Sequence, residues 1–174
     1  GQGELLVTPI QLANMAAAVA NRGWWIRPHL VRSIDGTPNP NPEFSKVHRT
    51  TIDPQNFEVI IAGMNDVFES GTARASRLEG LLMAGKTGTA QNPHGQDHSI
   101  FTAFAPLDKP QIALAIIVEN GYWGSRWAAP IASLMMESYL NDTITRPDLY
   151  RRMVEGSLTG EYRVNQVETE LPPY

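Results

Sequence analysis

Apolar residues recur at helical spacing in three stretches of the chain. The first stretch begins at Thr8-Pro9-Ile10-Gln11, where Thr8 can cap a helix, Pro9 suits its first position and Gln11 completes a capping box. This helix is predicted to end at Gly23. The small apolar residues along it favour a core helix over a ligand site.

The second stretch begins at Asp53-Pro54, with Asp53 as the predicted cap, and ends at Gly71. Its predicted buried stripe is Phe57, Ile60, Ile61, Met64, Val67 and Phe68. The third stretch predicts a helix over about 127–140. Its predicted inward residues are Ile131, Leu134, Met135 and Tyr139.

Three strands are predicted between the second and third helices, over about 81–90, 97–106 and 111–120. The short link 105–111 predicts that the second and third strands are antiparallel. The third, Ile112–Val118, is apolar throughout and is therefore predicted to be buried on both faces. Residues 24–30 predict a short strand, and the proline-rich run 34–42 predicts an exposed loop. The pattern indicates an α+β fold, an antiparallel sheet covered by helices.

Length and composition narrow the class of protein. With 174 residues and 42% apolar residues, the chain is long enough for one domain with a sizeable core. A net charge of −4 without a basic block argues against a nucleic-acid partner. The absence of cysteine excludes disulfides and cysteine-ligated zinc. Asp97, His98 and His94 lack the ligand set of a metal site, so we expect no metal and no cofactor.

The two ends of the chain also carry expectations. No apolar run approaches the ~20 residues of a membrane helix. The chain opens at Gly1 without Met, inside a recognisable motif, so we expect it to be a piece of a longer protein. We divide the chain into residues 1–141, the folded portion, and residues 142–174, a loosely ordered polar tail with some helix within 146–154.

The segment Gly85-Lys86-Thr87-Gly88-Thr89-Ala90 concentrates the candidate chemistry. Lys86 offers a positive charge and three donors, and the hydroxyls of Thr87 and Thr89 can bind a carboxylate. Gly88 lets another backbone approach closely, so a peptide could pair with this strand through its main chain. A surface lysine followed by turn residues is the plainer interpretation of a lone K-T-G triplet, which is short enough to recur by chance.

The surrounding segments resemble the penicillin-binding proteins, whose third signature is K-T-G. The matching pieces, in the family's order, are Gly1-Gln2-Gly3 with Thr8-Pro9-Ile10-Gln11-Leu12-Ala13, Lys86-Thr87-Gly88-Thr89-Ala90-Gln91, the strand 97–106, the strand 111–120 and Ala129-Pro130-Ile131. The resemblance covers about residues 1–141 and is strongest to the elongation-type class B enzymes. It implies the C-terminal part of a transpeptidase domain with the fold shared by serine β-lactamases.

Two of the family's three motifs are missing from the chain. No serine is followed three residues later by lysine, and no Ser-x-Asn occurs. Tyr139-Leu140-Asn141 has the Tyr-x-Asn form of some relatives but lies after K-T-G. We therefore expect the nucleophilic serine outside this chain and no catalysis by the chain alone.

The resemblance implies roles and partners for the residues that are present. Lys86, Thr87, Gly88 and Thr89 would bind the D-Ala-D-Ala end of a peptidoglycan stem peptide, or a β-lactam inhibitor. Lys86 would assist proton transfer, and the backbone N–H of Thr89 would serve the oxyanion hole. The parent would act in cell-wall cross-linking on the periplasmic face of the bacterial inner membrane, anchored by an N-terminal helix, with a membrane glycosyltransferase as partner.

Three further residues are weaker candidates. His98, Tyr122 and Trp123 could form the rim of the groove, although a structural histidine and simple aromatic packing explain them as well. The alternative function is a non-catalytic sensor or structural module of the same fold that binds a β-lactam or a peptide. Upstream sequence discriminates the two, because a transpeptidase would carry Ser-x-x-Lys, a pedestal domain and one membrane helix, whereas a sensor would carry a several-helix anchor.

Overall fold

The computed structural model describes residues 4–160. In chain order its helices and strands are α1 (Pro9–Ala20), β1 (Trp24–Ile26), β2 (Ser33–Ile34), β3 (Thr37–Pro38), β4 (Val47–Arg49), α2 (Gln55–Glu69), β5 (Ala84–Ala90), β6 (His98–Ala105), β7 (Ile112–Val118), α3 (Ala128–Asn141) and α4 (Pro147–Glu155). Single 3₁₀ turns lie at Pro42–Phe44 and Arg74–Ser76.

Both predicted helix starts are confirmed. At α1, the backbone N–H of Thr8 donates to Gln11 Oε1 at 2.8 Å, which is one half of the predicted capping box. At α2, Asp53 Oδ1 accepts the N–H of Gln55 at 3.0 Å, so the aspartate satisfies an N–H that the helix leaves unpaired.

The main sheet is antiparallel in the order β5-β6-β7. On one face, Phe104 and Ala84 pack with Ala20 of α1 and with Phe57 of α2. On the other face, Phe101 and its neighbours pack against α3. Helices thus cover both faces of the sheet, as the α+β prediction requires. The small ladders β1-β4 and β2-β3 lie outside this sheet, and the second overlaps the start of the predicted exposed loop.

The prediction that the third strand is buried on both faces is wrong. Of β7 only Leu114 is buried, and the remaining residues of the strand are half-buried. β7 is an edge strand with a neighbouring strand on one side only, whereas β6, the central strand, lies between β5 and β7 and is therefore more completely enclosed.

Two predicted inward faces also need correction. Met135 and Tyr139 of α3 are 48% and 61% exposed, and Ile60 of α2 is 54% exposed. In α3 the buried positions instead include the polar residues Ser133 and Glu137. The helix is apolar on most sides, so the buried face is decided by the partners available to these two polar residues.

Residues 142–160 contain more order than a loose tail implies. Helix α4 occupies Pro147–Glu155, within the part predicted to hold some helix, and the guanidinium of Arg146 lies 2.9 Å from Glu137 in α3. The remainder of the predicted tail, 161–174, lies outside the described residues, and the division at residue 141 stays a prediction. In the described part of the chain, none of the helices has the length and apolarity to cross a membrane.

Candidate active site

The candidate site lies along β5, whose seven residues Ala84–Ala90 include the K-T-G segment. Within residues 4–160, β5 pairs with β6 on one side and with no strand on the other. An unpaired strand edge presents N–H and C=O groups that an extended peptide can bind. The strand therefore has the geometry of a peptide-binding edge.

Close packing fixes the position of β5 behind this edge. A Cβ built on Gly85 would lie 2.6 Å from the ring of Phe101, which itself packs edge-to-face on Phe68 with ring centroids 5.5 Å apart. Glycine is required at position 85 because both rings occupy the space of a side chain. The strand is thereby held to the core one residue before Lys86.

The side chains of Lys86 and Thr87 leave opposite faces of the strand, as regular alternation requires. The Lys86 ammonium nevertheless reaches the backbone of the next residue, with Nζ donating to the Thr87 carbonyl oxygen at 2.9 Å. The long, exposed lysine chain thus returns its charge to the strand, where it can act beside the threonine hydroxyls.

Thr87 and Thr89 share one face of β5 and are half-buried. The hydroxyl of Thr87 lies 2.9 Å from the hydroxyl of Thr72, in the turn between α2 and β5. Thr89 lies opposite Ser99 in the β5–β6 register. Two hydroxyls on one face of a strand edge, with an ammonium beside them, form a donor set suited to a carboxylate.

Gly124, to which the sequence pattern assigns no role, lies against the backbone of Gly88. A Cβ built on Gly124 would lie 2.7 Å from the carbonyl oxygen of Gly88 and 2.3 Å from that of Ile100. The loop that carries Gly124 therefore packs directly on the K-T-G strand and its partner strand. The sequence signal that could have located it is the pair of glycines in Gly121-Tyr122-Trp123-Gly124.

The three proposed rim residues lie at the end of the sheet beside this loop. His98 is half-buried, and its Nδ1 accepts the backbone N–H of Asn120 at 3.0 Å. Trp123 is 56% exposed, and its ring lies edge-to-face against the ring of Tyr122, with centroids 5.4 Å apart. Its carbonyl oxygen accepts the hydroxyl of Ser99 at 2.8 Å, opposite Thr89. The structure thus gives His98 a structural partner, and the rim assignment stays a prediction.

The polar segment between β5 and β6 is tied down by Asn92. Its side-chain nitrogen donates to Asn120 Oδ1 at 3.0 Å, and its oxygen accepts the N–H of His94 at 3.1 Å.

Across residues 4–160, no cluster of three or more histidine, aspartate or glutamate side chains could hold a metal ion.

The second residue that sequence reasoning missed is Thr72. Thr72 directly follows Gly71, where the second helix is predicted to end, and the sequence pattern assigns it no role. Its hydroxyl contacts Thr87, fifteen positions along the chain. No local pattern reveals this contact, because it depends on how α2 packs against β5.

Comparison with known proteins places this geometry in a family. Residues 1–137 match the penicillin binding protein transpeptidase domain. The peptidoglycan D,D-transpeptidase MrdA of Acinetobacter baumannii is 36% identical over 159 residues, which is 80% of this chain and 23% of that protein.

Solved structures agree with the sequence match. The chain superposes on Pseudomonas aeruginosa PBP2, solved with WCK 5153, with a TM-score of 0.71 and 46% identity over 80% of this chain and 31% of that one. It also superposes on penicillin-binding protein A of Mycobacterium tuberculosis in an imipenem acyl-enzyme complex, with a TM-score of 0.69 and 31% identity over 80% of this chain and 32% of that one. The chain spans less than a third of each of these relatives. The chain belongs to the penicillin-binding protein transpeptidase domain family.

Proposed function

We propose that this chain supplies the carboxylate-binding wall of a serine-type peptidoglycan D,D-transpeptidase of the elongation type. The observation that carries the proposal is the edge of β5 that faces away from β6, where the hydroxyls of Thr87 and Thr89 share one face and the Lys86 ammonium returns to the strand. The family membership of residues 1–137 supports the reaction class.

The proposed reaction proceeds through an acyl-enzyme. A serine outside this chain attacks the carbonyl carbon between the two D-alanines of a stem peptide, a new ester bond forms, and D-alanine leaves with a proton on its amine. An amine of a neighbouring stem peptide then attacks the ester, forms the cross-link and returns the serine hydroxyl. A β-lactam follows the first step and remains as the ester, as the imipenem acyl-enzyme of the mycobacterial relative illustrates.

In this scheme the residues of β5 bind, orient and polarise the substrate. Thr87 and Thr89 donate to the terminal carboxylate, and Gly88 lets the substrate backbone approach. Lys86 keeps the site positive and helps to deliver the proton to the leaving amine. The backbone N–H of Thr89 is one of two oxyanion-hole donors, and losing such a donor typically raises the barrier by about 3–4 kcal/mol.

The side of the strand that Lys86 reaches supports the oxyanion role. A strand residue directs its N–H and its C=O to the same side, and residues two apart share that side. The Lys86 ammonium contacts the carbonyl of Thr87, two residues before Thr89. The Thr89 N–H, the Thr87 carbonyl and the ammonium therefore serve one edge in the proposal.

The proposal extends to the whole protein in its location and partners. We infer that the parent acts on the periplasmic face of the inner membrane, held by an N-terminal helix outside this chain. Its substrate is the stem peptide, its inhibitors are β-lactams, and a membrane glycosyltransferase of the elongation machinery supplies the glycan strands.

Intact-mass spectrometry after incubation with benzylpenicillin tests the proposal. We expect the longest protein that contains this chain to gain one drug mass and the 174-residue chain to gain none. In the longer protein, Lys86→Ala should slow adduct formation at least ~100-fold, whereas Lys109→Ala, which changes an exposed lysine of the β6–β7 turn, should not. An adduct on the short chain would place the nucleophile within it, and no adduct on either protein would overturn the transpeptidase proposal.

A further inference from the structure

The hydroxyl of Thr72 is the side-chain partner of Thr87, the first threonine of the K-T-G strand. Their Oγ1 atoms are 2.9 Å apart, and either oxygen can be the donor. Thr72 lies outside β5, in the turn that leaves α2. The side chain that orients Thr87 therefore comes from a different element of the fold.

The turn that carries Thr72 is anchored on its α2 side. The N–H of Gly71 donates to the carbonyl of Asp66 at 2.8 Å, and the N–H of Ala73 donates to that of Val67 at 2.9 Å. A Cβ on Gly71 would lie 2.8 Å from Val67 Cα, so the turn lies close against the helix.

The turn is anchored on its other side as well. Nη1 of Arg146 donates to the carbonyl oxygens of Ser76 and Arg77 at 3.2 and 3.3 Å. The buried hydroxyl of Ser133 also donates to the Ser76 carbonyl. With the backbone held both before and after it, Thr72 presents its hydroxyl to Thr87 from a fixed position.

When an anion binds, the number of hydroxyl protons fixes the direction of the hydrogen bond between Thr72 and Thr87. Each threonine hydroxyl has one proton to donate and two lone pairs to accept with. If Thr87 gives its proton to Thr72, none remains for a carboxylate. When Thr87 donates to a carboxylate, the remaining hydrogen bond of the pair must run from Thr72 to Thr87. A hydroxyl that accepts a hydrogen bond donates more strongly to the next acceptor.

We propose that Thr72 is a positioning residue for carboxylate recognition, whose hydroxyl donates to Thr87 while Thr87 donates to the substrate carboxylate. The inference rests on the proposed function, because it concerns the same substrate group. Thr72 touches Thr87 rather than the substrate, so its contribution appears only with ligands that carry the carboxylate.

The test compares benzylpenicillin with its methyl ester, which keeps the β-lactam ring and removes the negative charge. In the longest protein that contains this chain, we expect Thr72→Val to lower the acylation rate constant for benzylpenicillin about fivefold, the value of one hydrogen bond, and to leave that for the ester unchanged. Thr72→Ser restores the hydroxyl and should restore the rate. Thr143→Val, at an exposed position after α3, is the matched control, and Thr87→Val is the reference for direct loss of carboxylate binding.

Each result has a distinct meaning. An equal fall for acid and ester would show that Thr72 supports only the local structure and would overturn the inference, as would an unchanged rate for both ligands. A wild-type protein that neither ligand acylates would overturn the proposed function and, with it, this inference. A fivefold fall with the acid alone, reversed by serine, supports both.

Discussion

The edge of β5 and the α3 cluster, which consists of Glu137, Thr145 and Arg146, use polar side chains in opposite ways. At the β5 edge, Lys86 is exposed, and the contacts of Lys86 and Thr87 are single hydrogen bonds to neighbouring groups. Behind α3, Glu137 is fully buried, and both of its carboxylate oxygens accept hydrogen bonds from Thr145 and Arg146.

The two regions differ because the β5 edge has to bind a ligand, whereas the α3 cluster has to stabilise the fold. A carboxylate-binding edge must keep donors available, so it can contribute little to stability before a ligand arrives. A buried ion pair is useful only when nearly every donor and acceptor is matched, because an unmatched charge in the interior is costly. The α3 cluster meets that condition and, through Arg146, holds the turn that contacts Thr87. Stability and binding are thus assigned to different residues but connected through one turn.

The largest effect should follow from breaking the buried cluster. Arg146→Met removes the cation and leaves the Glu137 carboxylate buried with only the donors of Thr145. We expect the free energy of unfolding to fall by about 3–5 kcal/mol, the usual cost of leaving half of a buried ion pair. Urea unfolding monitored by circular dichroism measures it.

The matched control is Arg151→Met, which breaks the exposed pair between Arg151 and Asp148 at 2.7 Å. Exposed pairs contribute about 0–1 kcal/mol, so this variant should unfold close to the wild type. If both arginine variants lose the same free energy of unfolding, the buried pair of Arg146 and Glu137 does not stabilise the fold more than an exposed pair does, and the contrast drawn above is wrong.

A smaller effect should follow from crowding the β5 strand. A methyl group at Gly124 collides with the carbonyl oxygens of Ile100 and Gly88, so either the loop or the strand must move. We expect Gly124→Ala to cost about 1–3 kcal/mol of stability and, in a protein with the nucleophile, to slow acylation, because Gly88 is displaced.

Gly63 offers the control for this substitution, since it lies within α2 and a Cβ there meets no atom within 4 Å. Gly63→Ala should stabilise the protein by about 1 kcal/mol through its better helix propensity. Thermal unfolding separates the two variants, and a harmless Gly124→Ala would show that the loop can retreat from the strand.

The helix starts and the antiparallel pairing of the second and third strands can be predicted from the sequence, because the signals for them are local. Thr8-Pro9-Ile10-Gln11 and Asp53-Pro54 mark helix starts through contacts within a few residues, and the short link 105–111 forces an antiparallel hairpin. The K-T-G segment is likewise found by its own residue types.

What the sequence does not reveal depends on partners far along the chain. Glu137 lies inward because Arg146 and Thr145, further along the chain, donate hydrogen bonds to it. Periodicity within the helix takes no account of these partners and therefore predicts that Met135 is buried, whereas it is exposed. The link from Thr72 to Thr87 and the contact of Gly124 with Gly88 arise only when β5 lies between α2 and the loop after β7. Residues that support the site were therefore missed, whereas the K-T-G residues are found by their own types, and their substrate-binding role stays a prediction.

The last and smallest effect is a dependence of stability on pH that belongs to the α3 cluster alone. Burial by itself would raise the pKa of Glu137, but the hydrogen bonds from Thr145 and the guanidinium of Arg146 outweigh it and hold the pKa below the ordinary value of 4.5. Because the pKa is lower in the folded state, Glu137 contributes stability that is complete above pH ~4.5 and is lost as the pH falls through the folded value. Comparing urea midpoints of the wild type and Glu137→Gln from pH 7 downward should show a gap that narrows below pH ~4.5. Glu155→Gln, an exposed change at the end of α4, controls for the removal of one charge. A gap that stays constant through this range would mean that the carboxylate charge of Glu137 does not stabilise the cluster that supports the site.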